Sequence, residues 1–302
     1  MTRVELKNLD KIFWPKEGYT KRDVVEYYDR MATIILPYLR DRPMVLVRHP
    51  DGIKGGSFFQ KNVAAINLPP FVKTVKIRAK STGRNVHYIV CSNKATLLYL
   101  ANLGCIELHP WSSRIRNLDC PSYMVIDLDP GHNTFAEVAA VAGETRKVIA
   151  AAGGTSLVKT SGKTGIHIYV PLRPVYDFDD VRGVARLVAQ IVNRRMPRLT
   201  TVNPKLTGRR NRIYLDCARN GFGQTTVAPY SLRAFPRATV STPLDWRELT
   251  SSSSPARYHL RSIGRRIAMK GDLWANAARR PSSLRKLEAA LKAMTLSAKK
   301  TM

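Results

Sequence analysis

Asp127 and Asp129 are separated by one residue in the apolar run MVIDLDP at 124–130. Side chains on a strand alternate faces, so both carboxylates point one way and Leu128 points the other. Like charges side by side on a sheet repel, and a fold retains them when a cation sits between them. A third acid, Asp216, ends the run RIYLD at 212–216. Hard oxygen donors of this kind suit Mg²⁺ or Mn²⁺. Two such ions can clamp both oxygens of an in-line phosphoryl displacement, so the chemistry implied is metal-dependent phosphoryl transfer.

Other residues fit that chemistry. In SGKTGIH at 161–167 the glycines permit tight turns, and backbone amides with Ser161 and Lys163 can hold phosphate oxygens. The GxxxxGK[ST] spacing of a Walker A loop is absent, and a strand follows where a helix would be needed. His167 can donate to a phosphate or a sugar. Phe58 and Phe59, in GGSFFQK at 55–61, stand near Lys61 and Arg48 in type and spacing suited to stacking on an unpaired base. The alternative is a strand edge with one Phe in the core; by alternation only one of the two can be buried, so an exposed ring still needs a reason. Lys11 and Lys21, near Asn8, suit phosphate contacts but equally suit a solvated face.

The elements that must position these residues are clearest after residue 123. A strand spans 124–129. Thr134 and Glu137 form a capping box that opens a helix ending near Gly153. Strands follow at 156–160 and 166–170. Asp179 or Asp180 caps a helix to about Arg195, with Val181, Val184, Ala185, Val188, Ile191 and Val192 on one stripe. A last strand spans 212–216. The order is βαββαβ, the split βαβ unit, whose strands lie in the order four, one, three, two. Met124, Ile126, Leu128, Ile166, Ile168, Val170, Ile213 and Leu215 then share an apolar side that carries the helices. Asp127, Asp129, His167, Tyr169, Tyr214 and Asp216 collect on the opposite, open face.

Upstream, strand-like runs occur at 44–48, 72–77 and 86–90. Helices are expected at 20–39, capped by Thr20 with Asp23, and at 96–107. After a serine run at 251–254 the tail is rich in Lys and Arg, with only Asp272 and Glu288 against them. It carries the stripe Leu284, Leu287 and Leu291, and residues 297–302 are expected to fray. The fold class is α+β. The expected division is an N-terminal α/β module at 1–120, a catalytic module at 121–250 and a basic helical tail at 251–302.

Charge sets the partner class. The 302 residues hold 50 Lys and Arg against 22 Asp and Glu, a net charge of +28, which points to nucleic acid. No stretch approaches the length of an apolar membrane span, and the first residues lack the core of a signal peptide. This reads as a cytoplasmic protein with no membrane partner. Cys91, Cys105, Cys120 and Cys217 include no CxxC pair and are expected to be free thiols rather than zinc ligands.

The chain resembles the polymerase domain of bacterial DNA ligase D, in the archaeo-eukaryotic primase superfamily. The resemblance runs from LKNLDKIFWP at 6–15 to Trp246. It is carried by FFQK at 58–61, ELHPW at 107–111, VIDLDPG at 125–131, TSG at 160–162, GIHIYVPL at 165–172, TTVAPYSLR at 225–233 and TPLDW at 242–246. It implies template-directed nucleotidyl transfer in the non-homologous end joining of double-strand breaks, filling gaps and extending ends. It also implies a taste for ribonucleotides and for Mn²⁺, with NTP or dNTP as substrate and two metal ions as cofactor. By position, Asp127, Asp129 and Asp216 match the metal-binding acids. Ser161, Lys163, His167, Arg233 and His109 match nucleotide contacts. Phe58 and Phe59, with Arg48 and Lys61, match the template-stacking region. Asn8, Lys11 and Lys21 match the pocket for a downstream 5′-phosphate. Thr164 departs from a common family lysine, and CARN at 217–220 departs from the usual residues after the third acid. No KxDG adenylation motif is present, so the expectation is a stand-alone, nucleoid-associated bacterial polymerase without ligase activity, working with Ku and a separate ligase.

Two other readings stand beside this one. A primase-polymerase would start chains without a primer. A non-catalytic nucleic-acid-binding module would use the same βαββαβ unit, which is also the RNA-recognition fold, although such sheets bind through aromatic and basic residues rather than acids.

Overall fold

The computed structural model describes residues 4–80 and 82–300. It is a mixed α+β chain that divides into two compact units. The first holds the residues up to Arg116 together with Thr225–Thr242 and Ala256–Gly271. The second holds Asn117–Gln224, Pro243–Pro255 and the residues from Asp272 onward. The chain therefore re-enters the first unit twice, and its boundaries are not those of a linear division at residues 120 and 250.

The second unit is built on a six-stranded sheet. Its order is Thr200–Thr201, Ile213–Asp216, Tyr123–Asp129, Ile166–Pro171, Leu157–Thr160, Pro243–Leu244. The four central strands follow the expected order of four, one, three, two, and a short strand is added at each edge. Met124, Ile126, Leu128, Ile166, Ile168, Val170, Ile213 and Leu215 are all buried, as the apolar alternation requires. The helices Phe135–Ala151 and Phe178–Arg195 pack against this sheet. The first opens with the Thr134–Glu137 capping box. The second is capped by Asp177, not by Asp179 or Asp180: Asp177 Oδ1 accepts from the Asp180 amide at 2.8 Å. Phe178 is thereby drawn into the core against Phe222, and Asp179 is left to pair with Arg182.

The opposite face was expected to be open and is largely covered. Lys159, His167, Tyr169, Tyr214 and Asp216 are buried. Trp274, from the tail, lies 5.1 Å from the Tyr169 ring. The tail also supplies the helix Leu284–Lys300, which packs on Phe178–Arg195 and buries Leu284, Leu287 and Leu291. Gly154 makes that approach possible, because a Cβ there would sit 2.7 Å from Leu287 and 2.8 Å from Ile149. The helix assignment runs to Lys300, and residues 301–302 lie outside the described residues.

The first unit has a five-stranded sheet. Phe58–Gln60, Pro43–Arg48, Asn85–Val90 and Lys73–Arg78 lie in that order, and Cys105–Pro110 also pairs with Pro43–Arg48. The helix Lys21–Leu39 begins at the Thr20–Asp23 capping box. The helix expected over 96–107 is instead Lys94–Asn102, capped by Asn93. Gly104, at φ +75°, turns the chain where a Cβ would meet His49 O at 2.9 Å, and the strand Cys105–Pro110 follows. Glu107, expected at the end of that helix, is therefore a strand residue on the same face as His109. Arg233 belongs to this first unit and is not part of the module that carries the acids.

Candidate active site

One row of paired residues crosses the second unit's sheet. Lys159 is the cross-strand partner of His167, His167 of Asp127, and Asp127 of Asp216. Asp129, two residues from Asp127, is opposite Tyr214. Because partners share a face, three carboxylates and an imidazole stand together. His167 Nε2 lies 3.4 Å from Asp127 Oδ1, and its Nδ1 lies 2.9 Å from Lys159 Nζ.

Two guanidinium groups compensate the acids. Arg219 Nε is 3.2 Å from Asp216 and 3.5 Å from Asp127. Arg209 Nη1 donates to Asp129 at 2.7 Å while its guanidinium lies 4.3 Å from the Tyr214 ring centre. Burial pushes the Asp127 carboxyl up to about 6; Arg219 pulls it down, and Asp216 and Asp129 push it up again. The turn that carries Arg219 is anchored: Asn220 accepts from the Val125 amide at 2.8 Å and donates to its carbonyl at 2.7 Å. Among the described residues, no three His, Cys, Asp or Glu side chains are drawn together tightly enough to cage an ion. The geometry gives the reason, since the Asp129 carboxylate is turned toward Arg209. The donor set itself consists of carboxylate oxygens on one face with cations against them, and it fits a hard divalent ion.

The loop between the strands Leu157–Thr160 and Ile166–Pro171 lies beside the acids. Ser161 Oγ accepts from the amides of Lys163 and Gly165 at 3.1 and 3.0 Å. A Cβ on Gly165 would collide with the carbonyl of Leu128, so only glycine lets the loop lie against the strand of Asp127. Lys163 is partly exposed.

The first unit gathers a different set. Glu107 is buried, with Oε2 3.1 Å from His109 Nε2 and Oε1 3.2 Å from Arg233 Nε. The Ala234 amide also donates to Glu107 Oε1, at 3.1 Å. Glu107 thus holds His109 and Arg233 together. Its position two residues before His109 on a strand was the available signal for that role.

Phe58 and Phe59 are both exposed, at 44% and 72%, so neither ring lies in the core. They lie on a three-residue edge strand. Arg48 lies 5.1 Å from the Phe58 ring centre and bonds Gln60 at 3.1 Å. Lys61 beside them is exposed.

Lys11 and Lys21 differ from each other. Lys11 is exposed and pairs with Asp51. Lys21 is buried and donates to the Lys7 carbonyl at 2.6 Å, so a solvated face does not describe it. Burial, and then the charge of Lys11, lower its ammonium from the usual lysine range. Asn8, at φ +54°, begins the turn in which the Lys11 amide bonds its carbonyl at 3.3 Å.

Sequence reasoning missed Lys159, Arg209, Arg219 and Glu107. Arg209 reaches Asp129 across 80 residues of chain, and Lys159 meets His167 across a strand pair; Arg219, three residues after Asp216, and Glu107, two before His109, stood near their partners in sequence. No helix of the described residues is long and apolar enough to cross a membrane. The four cysteines are free, as expected.

The chain is similar to known proteins. The family model described as LigD, primase-polymerase domain, matches residues 20–274. The bifunctional non-homologous end joining protein LigD of Bacillus subtilis is 33% identical over 271 residues, covering 89% of this chain and 43% of that protein. The multifunctional non-homologous end joining protein LigD of Pseudomonas aeruginosa is 33% identical over 281 residues, covering 91% of this chain and 33% of that protein. The chain thus spans less than half the length of these relatives. A solved structure, the polymerase domain from Mycobacterium tuberculosis ligase D in complex with DNA, superposes with a TM-score of 0.86 at 29% identity, over 93% of this chain and 100% of that one. With the matched segment enclosing the Asp127–Asp216 strands, the Ser161 loop and Arg233, this chain belongs to the LigD primase-polymerase domain family.

Proposed function

We propose that the chain is a template-directed nucleotidyltransferase that fills gaps and extends ends during non-homologous end joining. The observation that carries this reading is the in-register row Lys159–His167–Asp127–Asp216, with Asp129 on the same face. Three acids kept beside two arginines are costly unless function needs them.

Asp127, Asp129 and Asp216 would hold one or two Mn²⁺ or Mg²⁺ ions. When bound, these supply Lewis-acid stabilisation of the attacking and leaving oxygens. Asp127 must give up its proton for that role. His167 points an imidazole nitrogen toward Asp127, where it can donate to a phosphate oxygen. The Ser161 loop and Lys163 present further donors to a nucleotide. His109 and Arg233, held by Glu107, are the candidate phosphate contacts of the first unit. Phe58 and Phe59 offer exposed ring faces to template bases, with Arg48 and Lys61 beside them. In the pocket of Asn8, Lys11 and Lys21, an anion such as a 5′-phosphate would relieve the repulsion between the lysines. Broken DNA ends, Ku and a separate ligase are the proposed partners.

The test is nucleotide incorporation on a primed, gapped duplex with Mn²⁺. Asp127→Ala should abolish it while leaving DNA binding intact or stronger. Incorporation that survives Asp127→Ala, or DNA binding that is lost instead, would overturn the reading. Omitting the primer separates gap filling from chain initiation, since a dinucleotide product would assign the chain to the second activity.

A further inference from the structure

We propose that Lys159 is a positioning residue that fixes His167 in one tautomer, with its proton on Nε2 and directed toward the acids. This rests on the nucleotidyltransferase reading above and gives a role to Lys159, which that reading places in the row without one.

Lys159 is 0% exposed, in the middle of the strand Leu157–Thr160. Burying an ammonium costs several kcal/mol unless its surroundings repay it. An apolar side chain would be the ordinary occupant of such a place. What surrounds it is specific: His167 Nδ1 at 2.9 Å and the Tyr169 ring centre at 5.7 Å. Asp127 stands one strand beyond His167 in the same row. The Tyr169 ring offers an ammonium a cation–π contact, and Asp127 places a carboxylate in the same row.

An ammonium has donors and no acceptor. Its bond to Nδ1 therefore requires a lone pair there, and the proton of the neutral ring must reside on Nε2. That nitrogen faces Asp127 Oδ1 at 3.4 Å. In this tautomer His167 presents an N–H to carboxylate and phosphate oxygens. In the other it would present a lone pair to them and repel both. The orientation of a functional imidazole is commonly set by the bond made at its other nitrogen.

Nitrogen-15 NMR of histidine-labelled, metal-free protein reads the tautomer without reference to catalysis. Wild-type protein should show His167 with its proton on Nε2. Lys159→Met, of similar length and without donors, should give mixed tautomers or the Nδ1–H form. Lys159→Gln keeps a polar group in the site, guards against a folding failure, and should also mix the tautomers. An Nδ1–H form in wild type, or a spectrum unchanged in a folded variant, overturns the proposal. In steady-state assays Lys159→Met should raise KM for the nucleotide about tenfold, the worth of one hydrogen bond, with kcat little changed. A fall in kcat alone would mark a merely structural residue and would also overturn it. Failure of wild type to incorporate nucleotide at all would sink the polymerase reading and leave the tautomer result standing.

Discussion

Asp127 and Asp216 face each other directly across two neighbouring antiparallel strands. Like charges in that relation destabilise a sheet, and Arg219 reaches both of them from a turn that Asn220 anchors to the same strand. The fold thus stores electrostatic tension at the proposed metal site.

That tension gives stability a pH dependence. Asp127 titrates near 3.8 in an unfolded chain and at about 6 in the fold. Between those values the folded protein holds a proton that the unfolded chain has released, so its stability falls as pH rises through the window and stays lower above it. Asp127→Asn removes the charge. In EDTA above the window it should stabilise the protein by on the order of 2 kcal/mol, and near pH 4 it should change little. Thermal melts at the two pH values check this; an equal shift at both would show that burial of charge is not the cause.

Arg219 should behave as the resident counter-charge. It is 43% exposed and able to swing away. Arg219→Gln should lower the melting temperature of metal-free protein by about 2–4 °C, and Mn²⁺ should then raise it by more than it raises wild type. An identical Mn²⁺ increment in both proteins would show that the guanidinium does not occupy the place of the ion.

Phe59, 72% exposed, has little burial to lose. Phe59→Ala should leave stability within about 0.5 kcal/mol of wild type. Binding of a duplex with a single-stranded overhang should weaken by about 1–3 kcal/mol, the worth of one stacked base. Fluorescence titration with overhang and blunt duplexes measures this, and equal affinity loss on both would rule out stacking on an unpaired base.

The two lysines of the proposed phosphate pocket should separate in their effects. Lys11→Ala, at an exposed position, should leave the fold unchanged; Lys21→Ala removes a buried donor to the Lys7 carbonyl and should destabilise it by about 1–3 kcal/mol. The double variant should lose any preference for a gap bearing a 5′-phosphate over one bearing a 5′-hydroxyl. A preference that survives in folded double variant would place the phosphate elsewhere.

The alternation of residues 124–129, the capping boxes at Thr20 and Thr134, and the order of the four central strands were all readable in the chain alone. Each follows from a period of two, or from a bond three residues long, and such rules need no distant partner. For the same reason the acids could be assigned to one face before any coordinates existed. Tertiary structure decided the rest. It closed the face expected to be open, moved Arg233 to the first unit, made Glu107 a strand residue, and set Arg209, Arg219 and Lys159 against the acids. Arg209 finds the Asp129 carboxylate across 80 residues of chain by proximity in space, and no local spacing records that encounter.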